Sequence, residues 1–259
     1  MGIFLGRDAF GGDDRPETAA DTAPLAGQAR FNGAVLFFNW SRRDVEAVLP
    51  AEVTLAANSL APALHPVVFI VGEQTEGALI FGGFTIPTGI RYHEVAIAVP
   101  FVRHGRDPGL HIYIPRIYSS YFPAVWNGNV HYGFAKRLAR IRREAASFVV
   151  AGDGAPLLRA EFEPAGDWLP GAHCPLEHFE AMRAVFALPV IGRRGDGRYV
   201  GSRFDWRFED ALVRRIGAQV WIEASLGQGL TPRRCPVEPE SGFELRGMLW
   251  RLSWPVPGT

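Results

Sequence analysis

Of the 27 lysines and arginines in this chain, a single one is lysine, Lys136. Lysine ordinarily ranks among the commonest residues, so almost every cation here is a guanidinium. A guanidinium keeps its proton under all ordinary conditions, whereas a lysine amine can lose it on burial and become a nucleophile. The surrounding stretch, Trp126-Asn127-Gly128-Asn129-Val130-His131-Tyr132-Gly133-Phe134-Ala135-Lys136-Arg137-Leu138-Ala139, sets that amine among aromatics and glycines. Such a position is a candidate for amine chemistry. The plain alternative is one leftover surface lysine, and composition alone does not choose between them.

A carboxylate is the natural proton partner for an amine, and Glu94 is the candidate. Residues 91–99 read as a strand in which Tyr92, Glu94, Ala96 and Ala98 share one face and His93, Val95, Ile97 and Val99 the other. A glutamate among small residues and beside a tyrosine fits a carboxylate looking into a cavity. An exposed strand acid is the competing reading.

The elements that must position these two residues follow from local patterning. Residues 34–40 read as a buried strand, and Ser41 caps a short helix that Pro50 stops. Residues 66–72 are strand-like, residues 77–87 a glycine-punctuated strand and turn, and residues 110–118 a strand broken by Pro115. Residues 119–130 form a short helix and turn, while 136–143 fits a helix or a basic strand equally well. Further strands are expected over 147–151, 157–163, 199–208, 217–226 and 243–256. A helix is expected over 178–185, and a loop tip over 192–198. The reading is one α+β domain, mainly antiparallel β, over residues 28–259, preceded by a flexible or arm-like segment over 1–27.

Composition narrows the function classes. The formal net charge is +0 and the pI about 7.1, so no global basic field points to nucleic acid or to an anionic membrane. No window approaches 18 uninterrupted apolar residues, and the first 24 residues lack the pattern of a secretory signal. Cys174 and Cys235 are too few for a disulfide framework and read as free thiols in a reducing cytoplasm. There is no P-loop, GxGxxG, HExxH, CxxC or GxSxG. His173, Cys174, Glu177 and His178 match no standard zinc spacing, so no metal is expected. Arg137, Arg140, Arg142 and Arg143 read as a salt-bridged or subunit-contact face, and Trp250 and Trp254 as core.

The run Gly128 to Leu138 resembles the signature of the acetoacetate decarboxylase family, roughly Gly-Arg-Glu, three residues, then aromatic-Pro-Lys-Lys-Leu. Tyr92-His93-Glu94 is similar to that family's Tyr-x-Glu strand, and an apolar strand, short helix and Leu49-Pro50 resemble its N-terminal region. Asn129 and Val130 stand where the family has Arg-Glu, Ala135 stands for proline, and Arg137 for the second lysine. The resemblance implies that Lys136 is a Schiff-base nucleophile, Arg137 the neighbouring cation that repels its proton, and Glu94 a proton shuttle. Tyr92, His131 and Tyr132 are candidates for orienting substrate. Arg30 is the near match to the family's carboxylate-binding arginine, one residue out of register, which in a strand flips the face.

The fold implied is a cone-like, double-sheet β-barrel with peripheral helices, cytoplasmic and homo-oligomeric, with no organic cofactor and a small keto acid as partner. The expected activity is decarboxylation of a β-keto acid, acetoacetate or a bulkier analogue, through a lysine iminium. Two alternatives stand beside it: an aldolase-dehydratase acting on a 2-oxo acid through the same lysine, and a non-catalytic small-ligand barrel.

Overall fold

The computed structural model describes residues 7–10, 19–105, 107–227 and 229–257. Among these, 17 strands join in one hydrogen-bonded network, accompanied by four short α-helices. The first half contributes α1 (Ala19–Thr22), β1 (Leu25–Ser41), α2 (Arg42–Glu46), β2 (Val53–Leu55), β3 (Leu64–Phe81) and β4 (Phe84–Pro87). It continues through β5 (Tyr92–His104), β6 (Asp107–Ser119), α3 (Phe122–Tyr132), β7 (Lys136–Leu138) and β8 (Arg140–Glu144). The second half holds β9 (Ser147–Gly152), β10 (Ala155–Pro170), α4 (Phe179–Phe186), β11 (Val190–Arg193), β12 (Tyr199–Ser202) and β13 (Phe204–Arg207). It ends with β14 (Leu212–Ile222), β15 (Arg233–Val237), β16 (Gly242–Ser253) and β17 (Val256–Pro257).

The pairings that build the site run β16–β1–β3–β5–β6, all antiparallel. Among the described residues two pairings are parallel, β6 with β7 and β6 with β11. The first follows from α3, a helical crossover that returns the chain to β6 in the same direction. Residues 136–143, read as helix or strand, are two strands. Pro115 does not break β6. The β5–β6 register shifts beside it, between Ile97 and Val99, and an irregularity is where a strand tolerates a residue without an N–H.

Period-two alternation sorts the side chains into two cores on opposite faces of the sheet. Phe31, Val35, Val68, Ala96, Ala98, Ile112 and Ile117 belong to one, with Phe179, Met182 and Val185 of α4 covering it. Val67, Phe69, Val71, Val95, Ile97 and Val99 belong to the other. Ser41 caps α2 as expected, its hydroxyl accepting from the Asp44 N–H at 3.1 Å. Within the segment read as a loose lead-in, some described residues are buried and others, such as Thr22 and Pro24, are exposed. Ala9 and Phe10 are buried, and the Phe10 ring stacks on Phe101 with centroids 4.0 Å apart. Residues 1–6 and 11–18 of that segment lie outside the described residues.

Candidate active site

The alternation of β5 carries Tyr92, Glu94, Ala96 and Ala98 into the wall of one cavity of about 140 Å³, and Lys136 lines the same cavity. Lys136 Nζ donates to Glu94 Oε2 at 2.7 Å. The two side chains are 9% and 16% exposed, so the ion pair is largely shielded from bulk water. Around it the walls are apolar: Ile70, Ile114, Ile117, Phe134, Phe204 and Trp206 are among the lining residues. Charge interactions are strong in such surroundings.

Lys136 is the first residue of β7, and three local features hold it. Pro123 sits in the first turn of α3, and Gly133 ends the helix in the left-handed region at φ 64°, where any Cβ would strike the Arg193 backbone. The Asn129 side chain grips the Lys136 backbone from both sides, its Oδ1 accepting from the N–H at 2.8 Å and its Nδ2 donating to the carbonyl at 3.0 Å. Gly128 lets the lysine stem lie flat on α3, because a Cβ there would come within 2.7 Å of Lys136 Cδ and Cε.

The remaining predicted residues divide. Tyr92 and Tyr132 line the cavity. Burial, and then the Glu94 carboxylate and Tyr121, push the Tyr92 phenol upward, while burial pushes Tyr132 up to about 12. Both are therefore neutral O–H groups at physiological pH. His131 does not reach the cavity: it projects from α3 and packs edge-on against the exposed Trp126. Arg137 is likewise turned away. Successive side chains of a strand point to opposite faces, and Arg137 lines a separate cleft with Tyr118, Arg140 and Arg142.

Arg30 is excluded from the cavity by the same alternation. Across β1–β3 it is Phe31 that sits opposite the cavity-lining Gln74, and Phe31 belongs to the core on that face. Arg30 instead pairs with Glu76 at 3.0 Å and donates to the Gly247 carbonyl at 2.8 Å. Among the described residues no arginine lines the cavity.

Three contributors escaped the sequence reading. Asn129 stood there only as a departure from a pattern. Gln74 was readable in principle, since Val68, Ile70, Gly72 and Gln74 share one face of β3. Trp250, assigned to the core, lines the cavity and donates from its indole Nε1 to Gln74 Oε1 at 2.7 Å.

No protein-family model and no curated protein matches the sequence. Solved structures do match the fold. An acetoacetate decarboxylase from Legionella pneumophila superposes with a TM-score of 0.60 at 14% identity, over 98% of this chain and 96% of that one. The chain has the acetoacetate decarboxylase-like fold. The enduracididine biosynthesis enzyme MppR, complexed with the condensation product of pyruvate and imidazole 4-carboxaldehyde, gives 0.60 at 12% identity, covering 95% and 92% of the two chains. An acetoacetate decarboxylase-like enzyme from Sphingomonas wittichii RW1 gives 0.56 at 13% identity, covering 91% and 93%. One fold thus holds enzymes whose names point to more than one reaction.

Proposed function

We propose that this acetoacetate decarboxylase-like chain is a Schiff-base lyase that removes CO2 from a β-keto acid, with Lys136 as nucleophile. The carrying observation is the 2.7 Å contact between the chain's one lysine and Glu94 inside an apolar cavity. Nucleophilic attack requires the neutral amine, and Glu94 is placed to take its proton along that hydrogen bond. The amine adds to the ketone carbon. The carbinolamine then loses water, its hydroxyl leaving with a proton from Glu94, to give a protonated iminium.

The bond between the α-carbon and the carboxylate breaks next, and its electron pair moves into an enamine as the iminium nitrogen becomes neutral. Carbon dioxide leaves. Glu94, ionised by the dehydration step, takes up one proton from solvent and delivers it to the α-carbon, and water hydrolyses the product iminium to release ketone and free Lys136. The net change is one β-keto acid anion plus one proton to one ketone plus CO2.

The second reading is a C–C bond-forming or dehydrating reaction on a 2-oxo acid through the same iminium. It is favoured by the absence of a cavity arginine among the described residues and by the likeness to the MppR complex. The proposal further takes the sheet as the wall of a cone-like barrel, and the protein as a cytoplasmic homo-oligomer. Phe81 and Phe84 on the β3–β4 hairpin, 72% and 75% exposed, support self-association.

The test is borohydride trapping with acetoacetate, pyruvate and longer keto acids, followed by peptide mass spectrometry. An adduct at Lys136 with CO2 release supports the decarboxylase, and an adduct without CO2 release the second reading. No adduct at Lys136 across the panel removes both and leaves a ligand-binding cavity.

A further inference from the structure

The cavity has a positive pole and a negative pole already bonded to each other, and no arginine lines it among the described residues. A substrate carboxylate must therefore find another donor. Gln74 supplies one. It is 6% exposed and lines the cavity, and its Oε1 accepts from Trp250 Nε1 at 2.7 Å. An indole N–H can only donate, so the amide orientation is fixed by chemistry: oxygen toward Trp250, NH2 away from it. That leaves the NH2, with its two N–H donors, on the side of the amide away from Trp250.

Gln74 sits directly opposite Tyr92 across β3–β5, and Gly72 opposite Glu94. The amide and the Tyr92 phenol thus share one face, about two strand residues, or roughly 7 Å, from Glu94. Beyond them the wall is formed by side chains without polar atoms, including Val68, Ile112, Val190 and Leu252.

We infer that Gln74 orients the substrate's carboxylate through its amide N–H, and that the substrate is a β-keto acid bearing a bulky apolar substituent. The inference rests on the Schiff-base reading above. A guanidinium would neutralise the carboxylate and stabilise it before reaction. An amide holds it in place while leaving its charge uncancelled against apolar walls, so the charge gains more when it passes into the iminium as CO2 departs. The apolar wall takes the substituent and disfavours a second charged end.

The experiment compares acetoacetate with benzoylacetate, and benzoylacetate with the uncharged acetophenone. In the native protein, kcat/KM for benzoylacetate exceeds that for acetoacetate by about tenfold or more, since burying several methylene equivalents is worth that factor. Gln74→Leu raises KM for benzoylacetate about 10- to 100-fold, the range of one hydrogen bond to a charged group. Borohydride trapping of acetophenone at Lys136 changes less than about threefold, because no carboxylate is involved. Gln74→Met is the second variant should Leu disturb the fold, and Trp250→Phe frees the amide while keeping it present.

If Gln74→Leu and Gln74→Met lower acid and ketone reactions equally, Gln74 is structural and its assignment is overturned. If acetoacetate is preferred, the substituent assignment is overturned. If the native protein traps nothing, the Schiff-base reading fails first. That result is separable, because it is read on unmutated protein.

Discussion

Removing the amine of Lys136 tests the site through stability as well as through activity. In Lys136→Met the Glu94 side chain, 16% exposed, loses the cation that bonds it at 2.7 Å. Breaking a largely buried pair from one side costs about 3–5 kcal/mol, because a desolvated charge is left uncompensated. The double variant Lys136→Met with Glu94→Gln removes both charges and keeps the cavity volume. It should recover to within about 1 kcal/mol of the native protein, roughly 2–4 kcal/mol more stable than Lys136→Met alone. Urea unfolding at neutral pH reads both numbers, with m unchanged if only stability has moved. Neither variant should be trapped by borohydride. A single variant within about 0.5 kcal/mol of native would refute the reasoning. It would mean that water reaches the pair freely and that the cavity does not shield its charges.

Three further outcomes follow from the same geometry. His65 is fully buried, with Nε2 2.8 Å from the Pro100 carbonyl, and burial pushes its imidazole down to about 4 from 6.5. The unfolded chain then binds a proton that the native state refuses. The associated stability, roughly 3 kcal/mol, is whole above about pH 6.5 and is lost as pH falls toward 4. Urea midpoints across that window should show this slope, and His65→Gln should flatten it; an unaltered slope removes His65 as the cause. Gly128→Ala places a Cβ 2.7 Å from the Lys136 stem, so trapping should slow at least about tenfold with the circular-dichroism spectrum intact. Unchanged trapping would show that the stem can shift without consequence. Arg116 is 4% exposed, its Nε has no hydrogen-bond partner among the described residues, and burial followed by the nearby Arg137 lowers its pKa. A buried guanidinium whose Nε makes no hydrogen bond carries a desolvation cost, so Arg116→Met should stabilise the isolated protomer by about 1–3 kcal/mol. Destabilisation would reveal an anion or carboxylate that the described residues do not include.

Where strand alternation was readable, the facing of the side chains was readable with it. The face shared by Tyr92, Glu94, Ala96 and Ala98 stands in the structure as it does in the sequence, because one side of β5 meets a cavity and the other a dry core. The fold-level likeness was legible through the order of Glu94, Gly128 and Lys136. What was not legible depends on register between distant segments. The facing of Gln74 could be read from β3, but its place opposite Tyr92 and its bond to Trp250, 176 positions away in sequence, could not. Asn129 matters because α3 turns back at Gly133 and brings its side chain onto the Lys136 backbone, a contact made by loop geometry rather than by periodicity.

Arg137 shows how neighbours in sequence part in space. A helix over 136–143 would have kept the two side chains about 100° apart, near enough for their charges to meet. As a strand, β7 sends Lys136 toward Glu94 and Arg137 into the cleft on the other face. The amine's polar environment is then Glu94, and Phe134 lies 5.9 Å from Nζ. The fixed charge of Arg137 falls instead on Arg116 and Tyr118, across the sheet from the cavity. On the Schiff-base proposal, activation of Lys136 therefore has to come from its enclosure and from Glu94 rather than from the cation beside it in the chain. Arg137→Gln should accordingly leave borohydride trapping at Lys136 within about twofold of native, whereas Glu94→Gln should reduce it by at least about 100-fold, the usual scale for losing a positioned proton shuttle. The reverse ranking would restore like-charge repulsion as the source of the nucleophile, and would mean that the opposite facing of Lys136 and Arg137 on β7 does not separate their charges.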